Sequence, residues 1–161
     1  MFIINQSFEW LQPSKVGFLL RYPDLDALPE IPPEAKRSLQ LISQSLERAN
    51  GGTEMNVAQR SLQEMQLQRL YKVCKCAGDV ASRAHVLSWP TNLPSEFVRY
   101  LQQRNNVAIA MVAFWAACFH ALRDRWWARG WSRALIDEAV SLPGPGWARA
   151  LQWPRQVMLN A

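Results

Sequence analysis

The sequence predicts an all-α, single-domain helical bundle built around a central apolar helix at about residues 106–124. Three observations carry this. Apolar residues recur at helical spacing along most of the chain. No run alternates with the two-residue period of a strand. Val107–Leu122 is almost wholly apolar. With 161 residues and 49% hydrophobic content, the chain can bury a real core and is too apolar for disorder. It shows no internal repeat and no low-complexity stretch.

Residues 1–32 read as an irregular N-terminal segment and connector. Phe8–Leu11 starts a helical turn, and Pro13-Ser14 restarts one before Val16, Phe18, Leu19 and Leu20. Four prolines between Tyr22 and Pro33 make that stretch an exposed connector. Pro33-Glu34 opens the first long helix, because the first turn does not need the N–H that proline lacks. Leu39, Ile42 and Leu46 form its stripe, and Asn50-Gly51-Gly52 stops it. A longer helix runs from about Thr53, as N-cap, to Ala77, with Leu62, Met65, Arg69, Leu70 and Val73 as its stripe. Asp79–His85 continues or restarts it. Pro94-Ser95-Glu96 opens the next helix, and Asn105-Asn106 separates that one from the apolar helix. Gly130 interrupts or closely packs the Trp126–Trp131 segment. Ser132–Val140 is helical, Pro143–Gly146 is a turn, and Trp147–Leu151 is a short helix.

Composition excludes several classes. The apolar run of about 16 residues falls short of the ~20 that span a bilayer and contains His120, so a buried core helix is expected and no membrane span. A net charge of +5 invites a nucleic-acid reading. The basic residues are scattered as solvated helix faces, however, and no direct nucleic-acid contact is expected. Cys74, Cys76 and Cys118 make no disulfide framework and lack zinc-site spacing, so no metal is expected and the compartment reads as cytoplasmic or nuclear. Met1-Phe2-Ile3-Ile4-Asn5 has no basic region and does not read as a signal peptide.

The usual catalytic constellations are missing: there is no phosphate loop, no HExxH, no nucleophile elbow and no Cys/His pair. His85, before Trp89-Pro90, reads as structural or exposed. His120 is more informative, because its neighbours at i−3, i−4 and i−7 are Ala117, Ala116 and Ala113. One reading is close packing against another helix, with His120 satisfied by a backbone carbonyl. The other is an alanine floor beneath an apolar ligand, with His120 as the polar group at its end. Met111, Phe114, Trp115 and Phe119 occupy the other faces and read first as core. Arg123-Asp124-Arg125 reads as a surface ion-pair cluster, and Glu9 as an exposed helix-start residue.

Between Val86 and Pro154 the chain carries an ordered set of motifs. These are Trp89-Pro90, then Phe97, Tyr100 and Leu101, then the apolar helix ending near His120, then Trp126-Trp127 with Gly130-Trp131, then Trp147 and Trp153-Pro154. The set, over residues 85–157, resembles the C-terminal regulatory domain of fungal zinc-cluster transcription factors of the sterol uptake control type. A weaker match runs from Phe8-Glu9-Trp10 to Gly17. The six-cysteine DNA-binding zinc cluster of that family has no counterpart here.

The resemblance implies an all-helical domain holding a sterol-like or terpenoid ligand in an apolar pocket. The expected ligand contacts are Met111, Ala113, Phe114, Trp115, Ala116, Ala117, Phe119, Trp126 and Trp131, with His120 and Trp127 as the catalytic pair if the chain is an enzyme. Read as a complete chain without a DNA reader, it is expected to be a repurposed fungal natural-product cyclase. Such a pericyclase, of Diels–Alder type, needs no cofactor, only a preorganised conformer and one hydrogen-bond donor. The alternative is a non-enzymatic sterol-sensing regulatory domain. A third reading is a helical dimerisation partner, which keeps a homodimer open.

Overall fold

The computed structural model describes residues 23–49 and 57–159. The expectations at Phe8, Glu9, Trp10, Gly17, Asn50-Gly51-Gly52 and Thr53 lie outside these residues. Among the described residues every regular element is helical and there is no strand. The order is α1 (Pro33–Ala49), α2 (Val57–Gly78), a 3₁₀ turn (Arg83–Leu87), α3 (Ser88–Thr91), α4 (Ser95–Gln102) and α5 (Asn106–Phe119). A second 3₁₀ turn (His120–Leu122), α6 (Trp131–Ser141), a third 3₁₀ turn (Pro145–Trp147) and α7 (Gln152–Leu159) complete it.

Local chemistry explains the starts. α1 begins at Pro33, with Glu34 in the first turn where a carboxylate suits the helix dipole. α5 begins after Asn105, whose side chain accepts the Ala108 N–H at 3.0 Å as an N-cap. Arg104 adopts a left-handed backbone there (φ 55°), which turns the chain between α4 and α5. α6 is preceded by Gly130 at φ 83°, a conformation that glycine adopts without the steric cost of a Cβ.

Two expectations are corrected. In α2 Leu62 packs against the core and Leu70 and Val73 are buried as expected, but Met65 is exposed, and the buried face also takes in Gln63, Gln66, Leu67 and Cys74. Gln63 donates to the Asn105 side chain at 3.3 Å, so a buried amide meets a half-buried one where α2 meets the start of α5. Hydrogen bonding at that contact helps set the helix's rotation, which an apolar stripe alone could not reveal. Near the C-terminus, Trp147–Leu151 is a 3₁₀ turn and irregular turns instead of a helix. The helix follows at Gln152, with Pro154 accommodated in its first turn.

Eleven of the 14 residues of α5 are buried, and it contacts α1, α2, α4, α6 and α7. A helix apolar all round needs such a sleeve. No single described helix is long and apolar enough to cross a membrane; α4 and α5 reach that length only as a pair bent by 106°. The main core joins Ile42, Leu46, Leu70, Trp89, Phe97, Met111, Phe114 and Leu151. A smaller cluster joins Ala116 and Ala117 of α5 to Ile136 of α6. Ser38 donates to the Ala150 carbonyl, tying α1 to the chain before α7, and Lys75 pairs with Glu30 at 3.3 Å, tying the connector to α2.

Candidate functional site

The candidate site residues separate into three groups. Met111, Ala113 and Phe114 are packed in the main core, with Phe114 against Trp153 at 4.6 Å between ring centroids. Ala116 and Ala117 lie against Ile136, with Leu135, Val140 and Trp153 alongside. The remaining residues, Trp115, Phe119, His120, Trp126, Trp127 and Trp131, lead from the core to the surface.

His120 caps the C-terminal end of α5, partly exposed. Its Nδ1 lies 3.0 Å from the buried Ser132 Oγ, so its partner is a hydroxyl on α6 and not the backbone carbonyl of the close-packing reading. Burial pushes the His120 pKa below the ordinary imidazole range; the Arg123 guanidinium adds to this and Asp124 opposes it. The imidazole is therefore neutral at pH 7. His85, by contrast, is buried, with Nδ1 3.1 Å from the Ser82 carbonyl inside its own turn.

Trp115 donates its indole N–H to the Val86 carbonyl at 2.9 Å, which locks α5 to the first 3₁₀ turn. From it a continuous aromatic series runs in both directions. Inward, Trp89 lies 6.0 Å away at 27°, and Phe97 meets Trp89 edge-on at 5.7 Å. Outward, Phe119 lies 5.2 Å away at 30°, and Trp127 lies 6.2 Å beyond Phe119 at 48°. These separations fall in the favourable range for aromatic pairs.

The series ends in a cleft of about 560 Å³. Its lining combines Val80, Ala84 and Leu87, from the chain around the first 3₁₀ turn, with Ala121, Leu122 and Trp127, from the second 3₁₀ turn and the loop after it. Arg83, Asp124 and Arg125 supply its charged groups. Trp127 is 41% exposed there, whereas Trp126 and Trp131 are 86% and 63% exposed and lie outside the cleft lining. The Arg123-Asp124-Arg125 triplet forms no ion pair among the described residues; Asp124 and Arg125 face the cleft instead. Arg83, Ala84 and Leu87 went unnoticed in the sequence. They stand far from Trp127 along the chain, in a stretch legible only as helix continuation.

Among the described residues no cysteine, serine or histidine lines this cleft. Cys74, Cys76 and Cys118 are buried free thiols. Burial pushes Cys76 up to about 11, and burial together with the neighbouring Cys74 thiol holds Cys118 well above the usual range. Among the described residues no group of three or more His, Cys, Asp or Glu side chains is placed to hold a metal. What the arrangement offers is a flat indole face, an apolar trough and a small set of charges. No family model matches this chain, and no curated protein or solved structure matches it either.

Proposed function

We propose that this protein binds a hydrophobic terpenoid- or sterol-like small molecule in the cleft against Trp127. In this reading α5 is the central helix of the bundle and the cleft at its end is the apolar pocket. The observation that carries the reading is the aromatic series from Trp89 to Trp127, which ends half-exposed in an apolar trough. The trough's volume lies within the usual range for small-molecule sites, ~300–1,000 Å³. A rigid indole face backed by packed rings contacts a flat ligand with little entropy to lose.

The catalytic form of this function is a cofactor-free cyclisation of Diels–Alder type. The cleft would hold a reactive conformer, and the Trp127 indole N–H would donate to a carbonyl as charge develops on it; His120 adjoins Ala121 of the lining without being part of it. The observation favouring it is that Trp127 lines the cleft and is 41% exposed there. The non-catalytic form is a ligand sensor of the kind the resemblance implies. One experiment tests both: incubation with terpenoid and sterol extracts, then mass spectrometry of the released organic fraction, for wild type and Trp127→Ala. A time-dependent isomer of unchanged mass, lost in the variant, identifies a cyclase. An unaltered compound held stoichiometrically and lost in the variant identifies a sensor or carrier. Equal retention by both proteins, or none by either, defeats the reading.

A further inference from the structure

We propose that the ligand of this cleft carries a carboxylate and that Arg83 receives it; this rests on the hydrophobic-ligand reading above and names the polar end of its substrate. Arg83 opens the first 3₁₀ turn and lines the cleft. Among the described residues its Nε is buried without a hydrogen-bond partner, and its guanidinium joins no salt bridge. Buried donors are normally satisfied, and this guanidinium with an unsatisfied Nε belongs to a residue that lines an open trough, which points to a group that arrives from outside. The acid one turn earlier does not fill this role: Asp79 accepts the Ser82 N–H at 3.0 Å.

The other charges of the cleft select the kind of anion. Arg83 and Arg125 are cationic and Asp124 is anionic, which leaves one net positive charge along the lining. That balance matches a single negative charge. A phosphate ester, with a charge of about −1.5 to −2, would face Asp124 with its excess uncompensated. A guanidinium fork also presents two parallel N–H groups to the two oxygens of a carboxylate. Val80, Ala84, Leu87 and Leu122 around it lower the local dielectric and strengthen the pair. Arg83 and Trp127 both line the trough and come from segments far apart in the chain. The ligand is thus amphipathic, with an acid head at Arg83 and an apolar ring system against the indole. The chemical class is a terpenoid or polycyclic carboxylic acid.

Isothermal titration of the full chain with abietic acid, its methyl ester and farnesyl diphosphate tests this. The acid is expected to bind at least ten-fold tighter than the ester. Arg83→Met should bring the acid down to the level of the ester without weakening the ester, and Arg125→Met should cost the acid less. Equal binding of acid and ester to the wild type overturns the carboxylate proposal and leaves the hydrophobic-ligand reading standing. Failure of both to bind overturns the two together. Tighter binding of the diphosphate overturns the choice of a monoanion. If Arg83→Met does not fold, Arg83→Lys and the wild-type acid-to-ester ratio decide. A ratio unchanged in a folded Arg83 variant places the acid elsewhere and overturns the assignment.

Discussion

Trp89 and Trp126 are the same residue type in the same half of the chain, and the fold treats them in opposite ways. Trp89 is 1% exposed and Trp126 is 86% exposed. The region around Trp89 is held by helices: α5 brings Trp115 against its face, and α4 brings Phe97 against its edge. The region from Arg123 to Gly130 is a run of turns, closed by local backbone bonds such as Ala128 N–H to Arg125 carbonyl at 3.0 Å. Those bonds satisfy the backbone but bring no second layer over the indoles. Trp127 stands between the two cases, with one side on Phe119 and the other on the cleft. The contrast teaches that tryptophan content marks where apolar area is spent, while the elements lying opposite decide whether it stabilises the fold or waits for a ligand.

The comparison breaks most visibly at its buried end. Trp89→Ala should destabilise by about 3–5 kcal/mol, as large-to-small changes at fully buried aromatics do. Urea denaturation measures it, and a loss under about 1 kcal/mol would place Trp89 outside the core. Next in size is Ala117→Leu. Ala117 packs against Ile136, so the added atoms should cost about 1–3 kcal/mol through overpacking. Paired with Ile136→Ala, part of that loss should return; strictly additive losses would show that the two side chains do not share space.

At the exposed end, Trp127→Ala should change stability by less than about 1 kcal/mol, as partly exposed positions do, while abolishing retention of the apolar ligand. A large drop in thermal stability would make Trp127 a core residue and remove the contrast. The smallest effect concerns pH. His120 takes up a proton less readily when folded than when unfolded, because burial and Arg123 oppose the charge. Stability should therefore be full above the ordinary imidazole value of 6.5 and decline as pH falls below it, until the depressed folded value is reached. Melting temperatures between pH 8 and pH 5 should show this slope in wild type, and His120→Gln should flatten it. An identical slope in both proteins would assign it to other groups.

Particular residues show how far the sequence could be read. The start of α1 at Pro33 and the cap of α5 at Asn105 follow from local chemistry alone, and both stand where spacing and residue type place them. The inward face of α2 was legible only in part. Leu62, Leu70 and Val73 do meet the core, yet Met65 is exposed and Gln63 is buried, bonded to a residue 42 positions away. Nor could the cleft be read. Its walls come from residues near 80–87 and 121–127, and nothing in either stretch names the other.

The sequence by itself determined that this chain forms helices, where several of them begin, and that it is rich in large apolar side chains. Those properties depend on neighbours within a turn or two: capping groups, proline's fixed angle and the spacing of apolar residues. Only the tertiary structure decided which aromatics are buried, that His120 meets Ser132, and that Arg83, its Nε unsatisfied among the described residues, lines the same trough as Trp127. Burial and hydrogen-bond satisfaction are set by what lies across a gap in space, and residues far apart in the chain supply it.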